Sequence, residues 1–192
     1  MTSLNMRGLT IFISDIRNCK NKEQEEKRVE KEMANIRGKF TSGKALDSYN
    51  KKKYAWKMVY MFMLGYEIDF GHMEVISLIS ASSYSEKHVG YLATSLLLKN
   101  TDEMMTLIVN SIRSDLKSGN PDVQCLALAA VANIGGRELA DTLANDVLRV
   151  LTDRRTQSMV LKKAALCLVR LFRTNPDCLV AEEFAPKLAQ LM

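Results

Sequence analysis

Apolar residues recur along this chain mostly at helical spacing. Over residues 6–18, Met6, Leu9, Phe12, Ile13 and Ile16 fall on one side and Arg7, Thr10, Ser14 and Arg17 on the other, which predicts a short amphipathic helix. Asn21 reads as the N-cap of a second helix: Gln24 follows three residues on, and Glu23, Glu25 and Glu26 complement the positive end of its dipole. That helix is expected from Lys22 to about Arg37. Its apolar stripe of Val29, Met33, Ala34 and Ile36 is thin, and Gly38 with the Thr41-Ser42-Gly43 cluster is expected to end it. Asp47 or Ser48 caps a third helix, which passes through three lysines into the apolar run 58–64 and stops near Gly65.

From there the pattern repeats. Segments 56–62, 92–98, 126–132 and 164–170 align as inner helices that begin 36, 34 and 38 residues apart. Partner helices are expected over 73–80, 104–118 and 137–151, with boundaries at Asn120-Pro121, Gly135-Gly136 and Asn175-Pro176. A last helix is expected over 184–192, opening around Pro186 and lacking the usual termination signals, as if cut from a longer array. Paired helices at such a period mark an α-solenoid, in which no unit has enough apolar face to fold alone; a globular bundle is the alternative.

Composition agrees. Gly and Pro together number only 12 of 192 residues, which favours helix over turn-rich folds, and 47% of residues are hydrophobic, enough to fill a core. Four cysteines, Cys19, Cys125, Cys167 and Cys178, show no CxxC spacing and read as reduced thiols of a cytosolic protein. The longest apolar run, 58–66, is too short to span a bilayer, so membrane contact is expected to be peripheral.

Charge changes the picture most. The chain carries net +5, whereas residues 37–57 alone carry +6, from Arg37, Lys39, Lys44, Lys51, Lys52, Lys53 and Lys57 against Asp47. Basicity is therefore local, and Tyr49, Tyr54 and Trp56 are interleaved with it. That mixture suits a phosphorylated lipid headgroup or a nucleic acid backbone, and it also suits an ordinary solvated helix start. No second basic stripe runs along the later repeats, which counts against nucleic acid. Cations in the first turns of a helix oppose its dipole, a local cost of the kind that accompanies functional sites.

Motifs for catalysis fail on inspection. Residues 38–45, GKFTSGKA, imitate a phosphate-binding loop but end on Ala45 where a magnesium-binding hydroxyl is required, and they follow a helix where a strand is needed. Asp69-Phe70-Gly71 lacks the lysine and catalytic loop of a kinase and reads as a turn. His72 and His88 have no partners at metal spacing, and Met58, Met61 and Met63 read as core filler. No nucleophile and base pair up, so no enzyme, cofactor or metal is expected.

The segments MRGLTIFISDIRNCK, EMANIRGKF, KALDSYNKKKYAWK, GYEIDFGHMEVISLIS and AALCLVRLFRTNPD resemble the amino-terminal trunk of the alpha-adaptin family, large subunits of endocytic clathrin adaptors. The resemblance runs from about Met6 onward. It implies an all-α, right-handed superhelical α-solenoid of HEAT/armadillo-like helix pairs, here the first part of a longer trunk. Residues 1–57 would form a basic lipid-binding start, and 58–192 the helix-pair repeats. It further implies assembly with sigma, beta and mu (medium) subunits at clathrin-coated pits, as a peripheral protein on the cytoplasmic face of the plasma membrane. The implied ligand is phosphatidylinositol 4,5-bisphosphate or a related inositol polyphosphate. Matched to the motif, its site would comprise Arg7, Gly8, Lys39, Tyr49, Lys53, Tyr54, Ala55, Trp56 and Lys57, with Lys51 and Lys52 adding field. Arg17, in the DIRNCK motif, would help bind the acidic residue of dileucine cargo signals. Two departures stand out: Thr41–Gly43 lacks a lysine often found in animal relatives, and Ala55-Trp56 replaces their smaller residues.

Overall fold

The computed structural model describes residues 6–43, 45–97 and 102–191. Lys44 of the basic stretch, Leu98 of the second inner helix and Met192 of the last helix lie outside the described residues. All regular structure among the described residues is helical, and the chain forms two compact units that divide between Leu98 and Lys99.

The first unit contains α1 (Arg7–Arg17), α2 (Lys22–Thr41), α3 (Ser48–Met63), α4 (His72–Ile79) and α5 (Tyr84–Leu97). Helix α1 buries Leu9, Phe12 and Ile16, the stripe its periodicity predicts. At the start of α2 the Asn21 side chain accepts from the Gln24 amide at 2.9 Å, and the Gln24 side chain accepts in turn from the Lys20 amide at 3.0 Å. Asp47 caps α3 by accepting from the Asn50 amide at 2.8 Å.

Two expected boundaries are corrected. Helix α2 does not end at Gly38 but continues to Thr41. A single exposed glycine costs a helix only about 1 kcal/mol, and Phe40 anchors the extra turn edge-on against Tyr54, ring centroids 5.9 Å apart. The Thr41 and Ser42 hydroxyls then donate to the Arg37 and Lys39 carbonyls, each at 2.9 Å. Helix α5 likewise begins at Tyr84, well before the expected inner segment. It lies so close to α4 that a Cβ on Gly90 would stand 2.7 Å from the Ile79 backbone nitrogen.

The second unit contains α6 (Asp102–Leu116), α7 (Pro121–Ile134), α8 (Arg137–Thr152), α9 (Ser158–Thr174), a 3-10 turn (Pro176–Cys178) and α10 (Ala181–Leu191). The expected boundary at Asn120-Pro121 is the start of α7, and Asn120 caps it, accepting from the Asp122 and Val123 amides. Helices α8 and α9 bury matching stripes, Leu139, Leu143 and Val147 on one and Val160, Ala164, Leu168 and Leu171 on the other. Helix α10 starts five residues before Pro186, because Phe184 packs on Phe172 at 5.4 Å and holds the preceding turn. All four cysteines are free thiols, and burial pushes the Cys167 thiol up to about 12, which leaves it inert at neutral pH.

One polar cluster interrupts the apolar core of the first unit. Glu32 lies in the stripe of α2 between Val29 and Ile36 and is 5% exposed. Its carboxylate accepts from the Lys57 ammonium of α3 at 2.6 Å, from the Arg28 guanidinium at 2.8 Å and from the Asn35 amide at 3.3 Å. Arg28 also reaches Asp15 of α1 at 3.0 Å, and both cations lie against the Phe12 ring. Burial alone would raise the Glu32 carboxyl. The hydrogen bonds from Lys57 and Arg28 outweigh it and hold the group below the ordinary glutamate range.

Replacing Glu32 with Ala leaves two cations in low dielectric with one partner fewer, so urea unfolding should show a loss of about 3–5 kcal/mol. Because the folded Glu32 titrates below its unfolded counterpart, its contribution is complete above about pH 4.5 and disappears as pH falls through the depressed folded value. An acid titration of stability should therefore show a shallower decline in Glu32→Gln than in the parent. Gly90→Ala forces α4 from α5 and should cost about 1–3 kcal/mol in the same assay.

Candidate functional site

The basic stretch meets α1 at Lys53. Its aliphatic stem runs past Gly8, where a Cβ would stand 3.1 Å from the lysine Cδ. The ammonium donates to the Asn50 side-chain oxygen and lies over the rings of Tyr54, at 4.6 Å, and Tyr49, at 5.5 Å. It makes no carboxylate ion pair among the described residues. Partial burial pushes its pKa below the ordinary lysine value, with the charge of Lys57 next in weight, and Asp47 and Glu32 pull the other way without cancelling the shift. Lys53 is thus a cation with aromatic faces, an amide and other cations around it, an environment that an added anion would relieve.

Beside it opens a cleft of about 570 Å³ between α2 and α3, lined by Gly38, Lys39, Ser42, Asn50 and Tyr54 among others. Lys39 is exposed there, and Arg7, next to Gly8, is exposed on α1; neither makes an ion pair among the described residues. Tyr49 is 44% exposed. Lys51 and Lys52 are half-buried, with Lys52 donating to the Ser85 hydroxyl at 3.0 Å. Burial, with Glu32 and Asp47 nearby, raises the Tyr54 phenol, so it stays a neutral hydrogen-bonding group.

The alternative of an ordinary solvated helix start does not describe the end of the basic run. Tyr54, Ala55 and Lys57 are buried and Trp56 is half-buried, packed against the core. The reason is helical phase: Tyr54, Met58 and Met61 face the core, Ala55 is buried beside them, and Lys57 flanks that face, reaching Glu32 of α2 and Phe12 of α1. The Lys57 ammonium is engaged with Glu32, so Lys57 is a positioning group for α3 and not a free cation. Arg17 sits ten residues along α1 from Arg7, about 15 Å by helical rise, exposed and without an ion pair among the described residues. Asn50 and Glu32 escaped the sequence reading. Their signals were present: Asn50 stands three residues before Lys53, and Glu32 is an acid inside an apolar stripe.

The rejected motifs lie in helix and turn segments. Residues 38–41 of GKFTSGKA belong to α2. Asp69 pairs with Arg37 at 2.5 Å, and Gly71 adopts φ 77° at the start of α4, a turn that needs glycine. His88 stacks on Tyr84. Among the described residues no cluster of His, Cys, Asp or Glu could hold a metal, and no helix is long and apolar enough to cross a membrane.

The Adaptin N terminal region family matches residues 25–192. The chain is 54% identical to the AP-2 complex subunit alpha-1 of Arabidopsis thaliana over 97% of its own length and 18% of that protein's. It is 46% identical to the AP-2 complex subunit alpha-2 of Dictyostelium discoideum, over 97% of this chain and 19% of that one. Identity falls to 37% with the AP-1 complex subunit gamma-1 of Schizosaccharomyces pombe, over 90% of this chain and 20% of that one. The chain thus spans about a fifth of the length of these relatives. Among solved structures, a homology model of the full-length AP-3 complex in an intermediate open conformation aligns with TM-score 0.64 and 26% identity, over 74% of this chain and 25% of that one. The helix pairs, the family match and the higher identity to alpha subunits agree: this chain belongs to the adaptin family, as a segment of its amino-terminal region akin to that of the alpha subunits.

Proposed function

We propose that the chain is the start of the trunk of an alpha adaptin and works without catalysis as a peripheral adaptor. On this reading it binds a bisphosphorylated inositol lipid, phosphatidylinositol 4,5-bisphosphate or its soluble headgroup, at the cytoplasmic face of the plasma membrane. Its partners are the sigma, beta and mu subunits, and through them clathrin and dileucine cargo. The observation that carries the lipid reading is Lys53, an ammonium flanked by two tyrosine rings and an amide, without a carboxylate, beside an open cleft. Lys39 lines that cleft, Arg7 lies one residue from Gly8, and Lys51 and Lys52 add field. Tyr49 and the buried Tyr54 orient the lysine, and Lys57 fixes the helix that carries it.

At about 1 kcal/mol per basic residue near an anionic leaflet, these five cations supply roughly 5 kcal/mol before ordering costs, a Kd near the millimolar range. Such a site reads lipid weakly and reversibly. Durable recruitment then comes from further sites on the partner subunits acting through effective concentration. Arg17, exposed and without an ion pair among the described residues, stands at the far end of α1, where it meets the acidic residue of a dileucine signal.

Flotation of the assembled complex on vesicles containing the bisphosphorylated lipid tests the first role. Lys53→Glu should lower binding about tenfold, and unchanged binding, or a preference for nucleic acid with a steep salt slope, would remove it. For the second role, Arg17→Ser should weaken capture of an acidic dileucine peptide severalfold and leave flotation intact; equal peptide capture would make Arg17 a surface residue only.

A further inference from the structure

The second unit holds a cationic cleft that no run of its sequence announces. Its walls come from the end of α6, the loop into α7, the end of α8 and the loop into α9, and its volume is about 510 Å³. Four cations line it: Arg113, Lys117, Arg149 and Arg155, against two carboxylates, Asp146 and Asp153. Arg113 and Arg149 lie in the last turns of α6 and α8, where basic residues complement the helix dipole, and that alone would explain their presence. It does not account for the pairing. Arg113 takes the strong partner, Asp146, at 2.8 Å, and also donates to the Thr142 carbonyl at 2.9 Å. Arg149 is left 3.5 Å from the same carboxylate and 67% exposed, and Arg155 is 3.7 Å from Asp153 and 93% exposed. Lys117 is exposed and has no ion pair among the described residues. Helix α9 opens onto this cleft with no side-chain cap and no acid in its first turn, which adds to the positive potential.

We infer that this cleft is a docking site for an acidic peptide segment with interspersed apolar side chains. The volume lies in the range of ligand sites and far exceeds what one phosphate would fill. The cleft is lined by apolar surface as well, from Leu116, Pro121 and Val150, suited to aliphatic side chains. Guanidinium groups pair bidentately with carboxylates, so Arg149 and Arg155 take the acidic side chains while Lys117 adds a point charge. Asp153, exposed at the rim, accepts from peptide backbone amides. The cleft differs from the Lys53 site in holding its cations beside carboxylates, Asp146 and Asp153, whereas Lys53 has no carboxylate partner among the described residues. The inference does not depend on the lipid reading.

Fluorescence anisotropy of the intact chain with a short fluorescein-labelled peptide alternating glutamate and leucine tests it. Saturable, salt-sensitive binding is expected, weakened about tenfold or more in the double variant Lys117→Glu, Arg149→Glu and unaltered in Lys53→Glu. Both changed side chains are exposed, and an unchanged circular dichroism melt confirms the fold. Absence of saturable binding, equal binding by the double variant, or equal binding of a glutamine-for-glutamate peptide would overturn the proposal. So would loss, in the double variant, of binding to vesicles carrying the bisphosphorylated lipid while no peptide binds.

Discussion

The first unit depends on the shared carboxylate of Glu32. Helix α2 is too polar to be held by apolar burial alone, with only Val29 and Ile36 joining Glu32 in its buried set. One buried anion, answered by Lys57 from α3 and by Arg28, which also reaches Asp15 of α1, connects three helices at one point. A buried ion pair contributes little net stability compared with a well-packed apolar replacement, but losing one member is costly. Its effect here is on register. Fixing Lys57 fixes the rotation of α3, and that rotation decides that Lys53 runs along Gly8 while Tyr54 turns inward beneath it.

Seen this way, the basic stretch contains two kinds of lysine. Lys57 is neutralised inside the fold. Lys53 is not, and its depressed pKa reflects burial and like charges together. The distinction matters for recognition, because an anion arriving at Lys53 competes with no internal carboxylate, whereas one arriving at Lys57 would have to displace Glu32. The second unit repeats the contrast at lower intensity: Arg113 is held by Asp146, and Arg149 and Arg155 are left with long contacts at the rim.

Much of this was legible in the sequence where the controlling interactions are local. The Asn21 and Asp47 caps, the stripe of α1, the boundary at Asn120-Pro121 and the turn at Gly71 all follow from residues within one or two turns of each other, and the helical pairs follow from the recurrence of such stripes every 34 to 38 residues. Helix α2 overran Gly38 because a distant contact, Phe40 on Tyr54, outweighs the local signal, and α10 began before Pro186 because Phe184 finds Phe172. The burial of Tyr54, Ala55 and Lys57 was hidden for a similar reason. A run of three lysines reads as solvent-facing until the face that meets α2 is known. The cleft of the second unit is assembled from two stretches, 113–124 and 146–157, each of them unremarkable in charge, so no single window along the chain could display it.

The central claim is that folding sorts the lysines of α3 into internal and available ones. Side-chain nitrogen NMR of the lysine ammonium groups, during titration with the soluble headgroup inositol 1,4,5-trisphosphate, tests it most directly. The Lys53 signal should shift saturably while that of Lys57 stays fixed. A Lys57 signal moving as far as that of Lys53, or a Lys53 signal that does not move, would contradict the account.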